Sequence, residues 1–263
     1  MGNAWEIIDT FVTNPGAAIT ATAPFPGDTL AVRNFSDPNG AYLIDVYAQG
    51  ATAGILRIRS PRLHDNVQGI RFRNIAAINR GLLSEWEIQR LYAQDSLITE
   101  MSGGAAETDG FGYVVFYDDL PGAAARLIDV PGVTARGVNL VDIEVAVAAG
   151  AAVGARSASS ALNASFDLLK ANTDYAVLGY EVDAVGLSVG MRGIDTGNLR
   201  IGGPMTTERI ETRDFFARLS HSIGKPMIPI VNSANKGGFL IDTAQVVAGV
   251  AANVTIVAVE LHP

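Results

Sequence analysis

The chain has 263 residues, of which 48% are hydrophobic and 17% charged, with a net charge of −8 and no cysteine. The length suits one large domain or two ordinary ones. Lack of cysteine excludes disulfides, thiolate metal sites and a cysteine nucleophile; the acidic balance disfavours nonspecific nucleic-acid binding, which needs Lys and Arg against phosphates; and no apolar run reaches the ~18 residues that a membrane-spanning helix takes.

The charged share is below the roughly 25% usual for soluble domains. This fits an exterior partly covered by partners, and equally an Ala- and Gly-rich chain with little ionic surface. Arg57, Arg59, Arg62, Arg71, Arg73 and Arg80 form the one local enrichment of basic residues. On alternating strands they decorate a solvated or intersubunit surface.

Residues 1–17 open the chain without the basic and apolar regions of a secretory signal. Trp5, Ile7, Ile8, Phe11 and Val12 are spaced for one or two turns of amphipathic helix, ended by Asn14-Pro15-Gly16. Such an arm either folds back on its own domain or docks on a neighbour or a membrane surface. Strands follow at Thr29–Phe35, Ala41–Ala48, Ile55–Arg59 and Val67–Arg73. Ser84 and Glu87 form a capping box for a helix that carries Trp86, Ile88, Leu91 and Tyr92. Ser96–Met101, Phe111–Tyr117, Ala125–Val130 and Val138–Val147 read as four more strands. The small-residue stretch 149–162 reads as a linker. Four further strands are predicted between Ser165 and Ile201. A helix over Thr206–Ser222 carries Phe215 and Phe216 and is stopped at Gly224-Lys225-Pro226. Met227–Val231, Gly238–Thr243, Gln245–Val250 and Asn253–Leu261 are the last four strands.

The second half repeats the programme of the first. Ala41–Gly50 is answered by Tyr175–Ala184, Gly54–Arg59 by Gly186–Met191, and Asn139–Val147 by Asn253–Leu261. The order is kept, and the offsets are about one domain length. Many short strands with regular turns mean a sandwich or a barrel, and eight strands per unit is the jelly-roll count. The predicted fold is all-β: two tandem eight-stranded jelly-roll sandwiches at 18–148 and 163–263, each with one inserted helix, plus a short N-terminal helical arm.

Chemistry is thinly signalled. His64, His221 and His262 provide no His-x-His or His-x-x-His pair for a metal cage. Gly186-Leu-Ser-Val-Gly190 matches the Gly-x-Ser-x-Gly nucleophile elbow, with Asp214 and His221 following in order. An elbow needs a strand, a sharp turn and a helix, whereas this stretch continues as alternating Leu187, Val189 and Met191. Glu208, Glu211 and Asp214 read as a solvated helix face. The residues predict no enzyme, no cofactor and no metal.

Tandem eight-stranded sandwiches, each interrupted by a helix, joined by a small-residue linker and preceded by an arm, resemble the double jelly-roll major capsid proteins of tailless icosahedral viruses and phages. The resemblance spans about Ala18 to Leu261 and rests on architecture and repeat spacing. It implies a structural subunit of a virion capsid, assembled in the host cytoplasm. The subunit would form a pseudo-hexagonal homotrimer with large, mainly apolar interfaces and would tile a shell. Implied partners are further copies, minor or vertex capsid proteins and, where present, an inner membrane; no sequence-specific nucleic acid is implied. The arm residues Trp5, Ile7, Ile8, Phe11 and Val12 would then face neighbours or membrane. The helices around Trp86, Tyr92, Phe215 and Phe216 would lie between subunits or cap their own sheets. Two alternatives stay open: a two-domain β-sandwich that binds carbohydrate or a receptor, and a bicupin-like enzyme.

Overall fold

The computed structural model describes residues 2–35, 40–63, 67–82, 88–150, 152–162, 169–246 and 249–263, and for residue 51 and residues 74–82 the backbone alone. Strands make up 50% and helices 11%, which establishes the all-β class. Among the described residues no helix is long and apolar enough to cross a membrane.

The strands in chain order are β1 (Gly2–Thr13), β2 (Thr20–Ala21), β3 (Ala23–Pro24), β4 (Ala41–Arg59), β5 (Ile70–Leu82), β6 (Gln89–Leu91), β7 (Ile98–Met101) and β8 (Thr108–Leu120), which share one sheet. β9 (Leu127–Ile128) and α1 (Val130–Arg136) follow. β10 (Gly137–Val147), β11 (Ser160–Ala161), β12 (Asp174–Val182), β13 (Ser188–Arg192) and β14 (Ile201–Pro204) come next. Then α2 (Arg209–Thr212), α3 (Phe215–Ile223), β15 (Ile228–Asn232), the 3-10 turn Ser233–Gly238, β16 (Leu240–Ala244) and β17 (Ala252–Leu261) complete the chain.

Two sets of strands pair in one pattern. In the second unit, β10 pairs with β17, β11 with β16, β12 with β15 and β13 with β14. These are first with eighth, second with seventh, third with sixth and fourth with fifth. In the first unit, with the two-residue β3 beside β1 set aside, β1 pairs with β8, β2 with β7, the start of β4 with β6 and with the end of β5, and the end of β4 with the start of β5. β4 supplies two successive positions because it is continuous. Its register shifts between Gly50 and Ala53, and such a bulge bends a strand. The second unit breaks at the equivalent place, between Val182 and Ser188. Each long hairpin is rolled so that its last strand also meets its third: β8 lies on β4 and β17 on β12.

Several expectations are corrected. The N-terminal helical arm is a strand. β1 runs antiparallel to β8 over its length and to β3 at its end, so its backbone groups are satisfied by a sheet. Trp5, Ile7, Ile8 and Val12 are buried; one face of β1 meets the core of its own unit and the other meets the second unit. A strand apolar on both faces loses its alternation and mimics helical spacing. β10, expected to close the first unit, instead opens the second beside β17. The stretch 149–162 therefore leads from β10 into β11 (Ser160–Ala161), both in the second unit. In the expected helix around Trp86, residues 83–87 fall outside the described residues, and Gln89–Leu91 is strand β6. The expected helix over Thr206–Ser222 is split into α2 and α3 and ends at Gly224, whose φ of 62° suits a left-handed cap.

Candidate functional site

Among the described residues, a concentration of buried polar groups lies where the two units meet. It begins with Asp9, in the middle of β1 and wholly buried. Because Ile8 faces the core of the first unit, Asp9 faces the second. There the Ser188 hydroxyl donates to Asp9 Oδ2 at 2.6 Å, and Arg200 Nη1 reaches the same oxygen at 2.6 Å. The Tyr47 hydroxyl, from β4, donates to Asp9 Oδ1 at 2.8 Å. Arg200 also forks onto Asp242 Oδ1, from Nη2 at 2.7 Å and Nε at 2.9 Å. Asp28 accepts the Asp9 backbone N–H at 2.9 Å and pairs with Arg156. The Ile7 backbone N–H donates to the Arg200 carbonyl at 2.8 Å, so the units also share a main-chain bond.

Local sequence makes the room. Gly190 is paired with Gly202 on one side and Asp242 on the other. A Cβ on Gly190 would stand 2.1 Å from Arg200 Nε, where the guanidinium now lies. The electrostatics follow from burial. Burial and the Asp9 charge push the Tyr47 phenol well above its ordinary value, and the same two causes raise the Asp28 carboxyl. Burial opposes the Arg200 charge, but Asp242 and Asp9 outweigh it, and the guanidinium is held more firmly charged than in water. Asp28, Arg200 and Asp242 line a cavity of about 310 Å³, together with Glu6, Arg33, Arg156 and Arg192.

Beside this network the contact is apolar. Trp5 meets Phe216 edge to face with ring centroids 5.3 Å apart, and its indole N–H donates to the Met227 carbonyl at 3.0 Å. Phe215, Phe216 and Tyr180 form a cluster beneath. Phe215 and Phe216 are fully buried within this chain and leave no side-chain surface for another subunit. α3 lies where the units join, so its apolar stripe is consumed internally. Phe11 is half-buried and stacks edge to face on Phe25. Tyr92 is exposed, with the Arg62 guanidinium 5.9 Å from its ring centre. Trp86 and His64 lie outside the described residues.

In the Gly186–Gly190 motif Ser188 is the first residue of strand β13, buried against Asp9 rather than raised ahead of a helix. Asp9, Arg200 and Asp242 were not singled out in the sequence. The available signal was a carboxylate inside the apolar run Ile7-Ile8-Asp9, together with Gly190 and the pair Gly202-Gly203 in two later strands.

A second charged feature lies on the far side of the first unit. Leu56 and Ile58 point inward, so Arg57 and Arg59 point outward, and both bind Glu100 on β7. Burial opposes the Glu100 charge, but the two guanidinium bonds outweigh it and hold the carboxyl below its ordinary 4.5. A carboxyl lowered by folding stabilises above its unfolded value, and that stability is lost as pH falls through the folded value. Glu100→Gln is therefore expected to cost about 1–3 kcal/mol at neutral pH and progressively less below about pH 4.5. Urea denaturation at several pH values reads this, and a cost independent of pH would contradict the ion-pair account.

No family model matches the chain, and no curated protein matches it. Among solved structures, the crystal structure of PBSX exported protein XepA is similar to this chain at 10% identity and a TM-score of 0.28, over 97% of this chain and 86% of that one.

Proposed function

We propose that the protein is a structural subunit of an icosahedral virus capsid, built of two tandem jelly rolls and assembling as a homotrimer that tiles a shell. The observation that carries this reading is the repeated pairing order. First with eighth, second with seventh, third with sixth and fourth with fifth is the order of a rolled long hairpin; the second unit follows it strand for strand, and the first follows it with β3 set aside and β5 running along the whole of β4. Eight strands in two Greek keys is the jelly-roll arrangement. The α2–α3 insertion falls between β14 and β15, and the connection from β5 to β6 holds the same place in the first unit.

The packing of the units supports a building role. One unit sets an outer sheet face on an outer sheet face of the other, burying Trp5, Ile7 and Phe216 between them. A contact joining two different faces of equivalent units can be repeated from copy to copy, and it closes into a ring when the rotation permits. The buried polar cluster around Asp9 and Arg200 is consumed in holding the units together, which favours a structural over a catalytic use for it. Partners in this reading are further copies, then minor or vertex proteins and an inner membrane where the shell encloses one. Electron microscopy of the purified protein, with mass from light scattering, tests the proposal. Trimers that associate into shells or hexagonal sheets are expected, and a stable monomer at high concentration would overturn it.

A further inference from the structure

The contact between the two units pairs specific faces. The second unit contributes the outer face of β13, β14 and β16, marked by Ser188, Gly190 and Asp242. The first contributes the outer face of β1, β8 and β4, marked by Ile7, Asp9 and Tyr47. By the shared strand order each unit also owns the other kind of face. On the first unit it carries exposed arginines; on the second, α2 packs over Gly179 and Val257 is buried, so the β10 side alone is open.

On the first unit, the counterpart of the β13–β14–β16 face is the outer face formed by the end of β4, the start of β5, and β7. Arg57 is cross-strand from both Arg71 and Glu100, and Ile55 from Arg73. With Arg59 this face holds four arginines against one glutamate, a formal charge of 4 − 1 = +3. Arg71 and Arg73 are exposed, and Arg73 makes no ion pair among the described residues.

On the second unit, the counterpart of the β1–β8–β4 face is the outer face of β10, β17 and β12. Ile143 and Val145 point inward, so Asp142 and Glu144 point out. Glu144 and Glu181 both lie cross-strand from Thr255 on this side. Arg209 and Arg213 from α2 bind Glu181, and Arg213 also binds Asp142. Glu144 is exposed and makes no ion pair among the described residues. Where the first unit has apolar surface and a buried Asp9, the second has three carboxylates against Arg209 and Arg213, a net formal charge of −1 that Glu144 leaves open.

We propose that the arginine face of one copy, centred on Arg71 and Arg73, docks on the carboxylate face of a second copy, centred on Glu144 and Asp142. This brings together between chains the same two sets of strands that join the units within a chain, displaced toward the β10 side that α2 leaves open. The inference rests on the repeated fold behind the shell reading and adds to it the surfaces and the charge pairing. The internal joint rests on buried groups held in one chain, whereas the joint between copies is electrostatic and exposed. Its strength therefore falls with salt, because exposed charges are screened over about 8–10 Å at ordinary ionic strength, and like charges brought face to face suppress it.

The test uses the full chain and two variants, Arg71→Glu/Arg73→Glu and Asp142→Lys/Glu144→Lys, with sedimentation and light scattering at low and high salt. The substituted side chains are exposed on strand surfaces, and an unchanged thermal midpoint confirms that each variant folds. Each variant alone is expected to self-associate about a hundredfold more weakly than the parent, the scale on which juxtaposed like charges act. Mixed together, the two variants are expected to recover association, since each supplies the face that the other can bind. If the parent assembles while both variants assemble equally well, the charge-paired joint is overturned and the shell reading stands. If the parent stays monomeric at every salt and concentration, both are overturned.

Discussion

Replacing Arg200 with methionine is expected to destabilise the protein by about 3–5 kcal/mol at neutral pH, the usual cost of removing one partner from a buried ion pair. The side chains of Arg200, Asp9 and Asp242 are 7%, 0% and 3% exposed. Methionine fills much of the arginine stem's volume, so the loss falls mainly on charge. Without the guanidinium, Asp9 and Asp242 are left facing each other and Asp28 with Arg156 as the remaining cation of the group. Buried carboxylates without a cation have raised folded pKa values. A raised value contributes stability below the unfolded pKa of about 4 and loses it as pH climbs through the folded one. The gap between variant and parent should therefore widen from pH 5.5 to pH 8. Urea denaturation at both pH values checks this, and a gap that stays constant would assign the loss to packing. Arg200→Lys should recover only part of the loss, because a point charge cannot fork onto Asp242 while also reaching Asp9.

The all-β class was legible from period-two alternation and turn residues, and so was part of the internal repeat. Ala41–Gly50 and Tyr175–Ala184 occupy the third position of their units, and Gly54–Arg59 and Gly186–Met191 the fourth. The pairing of Asn139–Val147 with Asn253–Leu261 as equivalents failed, since those segments are partners across one sheet. Alternation tells that a segment is a half-buried strand. It does not tell which strand lies beside it, and here the partner is more than a hundred residues away. β1 failed for the opposite reason. Both its faces are covered, so Trp5, Ile8 and Val12 fell at spacings that a helix also satisfies. The polar joint was hidden because Asp9, Arg200 and Asp242 each resemble a surface charge when read alone. Only the fold brings three carboxylates and two guanidiniums to one place.

Trp5→Ala is expected to cost about 3–5 kcal/mol, the range for deleting a large buried aromatic. Trp5 belongs by chain position to the first unit, yet its ring packs on Phe216 and its indole N–H satisfies Met227, both in the second. The loss therefore reports how far the units share one core. A double-mutant cycle with Phe216→Ala isolates that sharing and is expected to give a coupling of about 0.5–1.5 kcal/mol, as for aromatic pairs elsewhere. Trp5→Phe separates the remaining contributions. It keeps most of the apolar contact but strips the Met227 carbonyl of its donor, which should cost about 1–3 kcal/mol on its own account. Chemical denaturation of the four variants of the cycle, with Trp5→Phe alongside, supplies the numbers. A Trp5→Ala loss within about 0.5 kcal/mol, the level of an ordinary surface change, would mean that the units only touch. The joint would then rest on the charge network alone, and Arg200→Met should separate them outright.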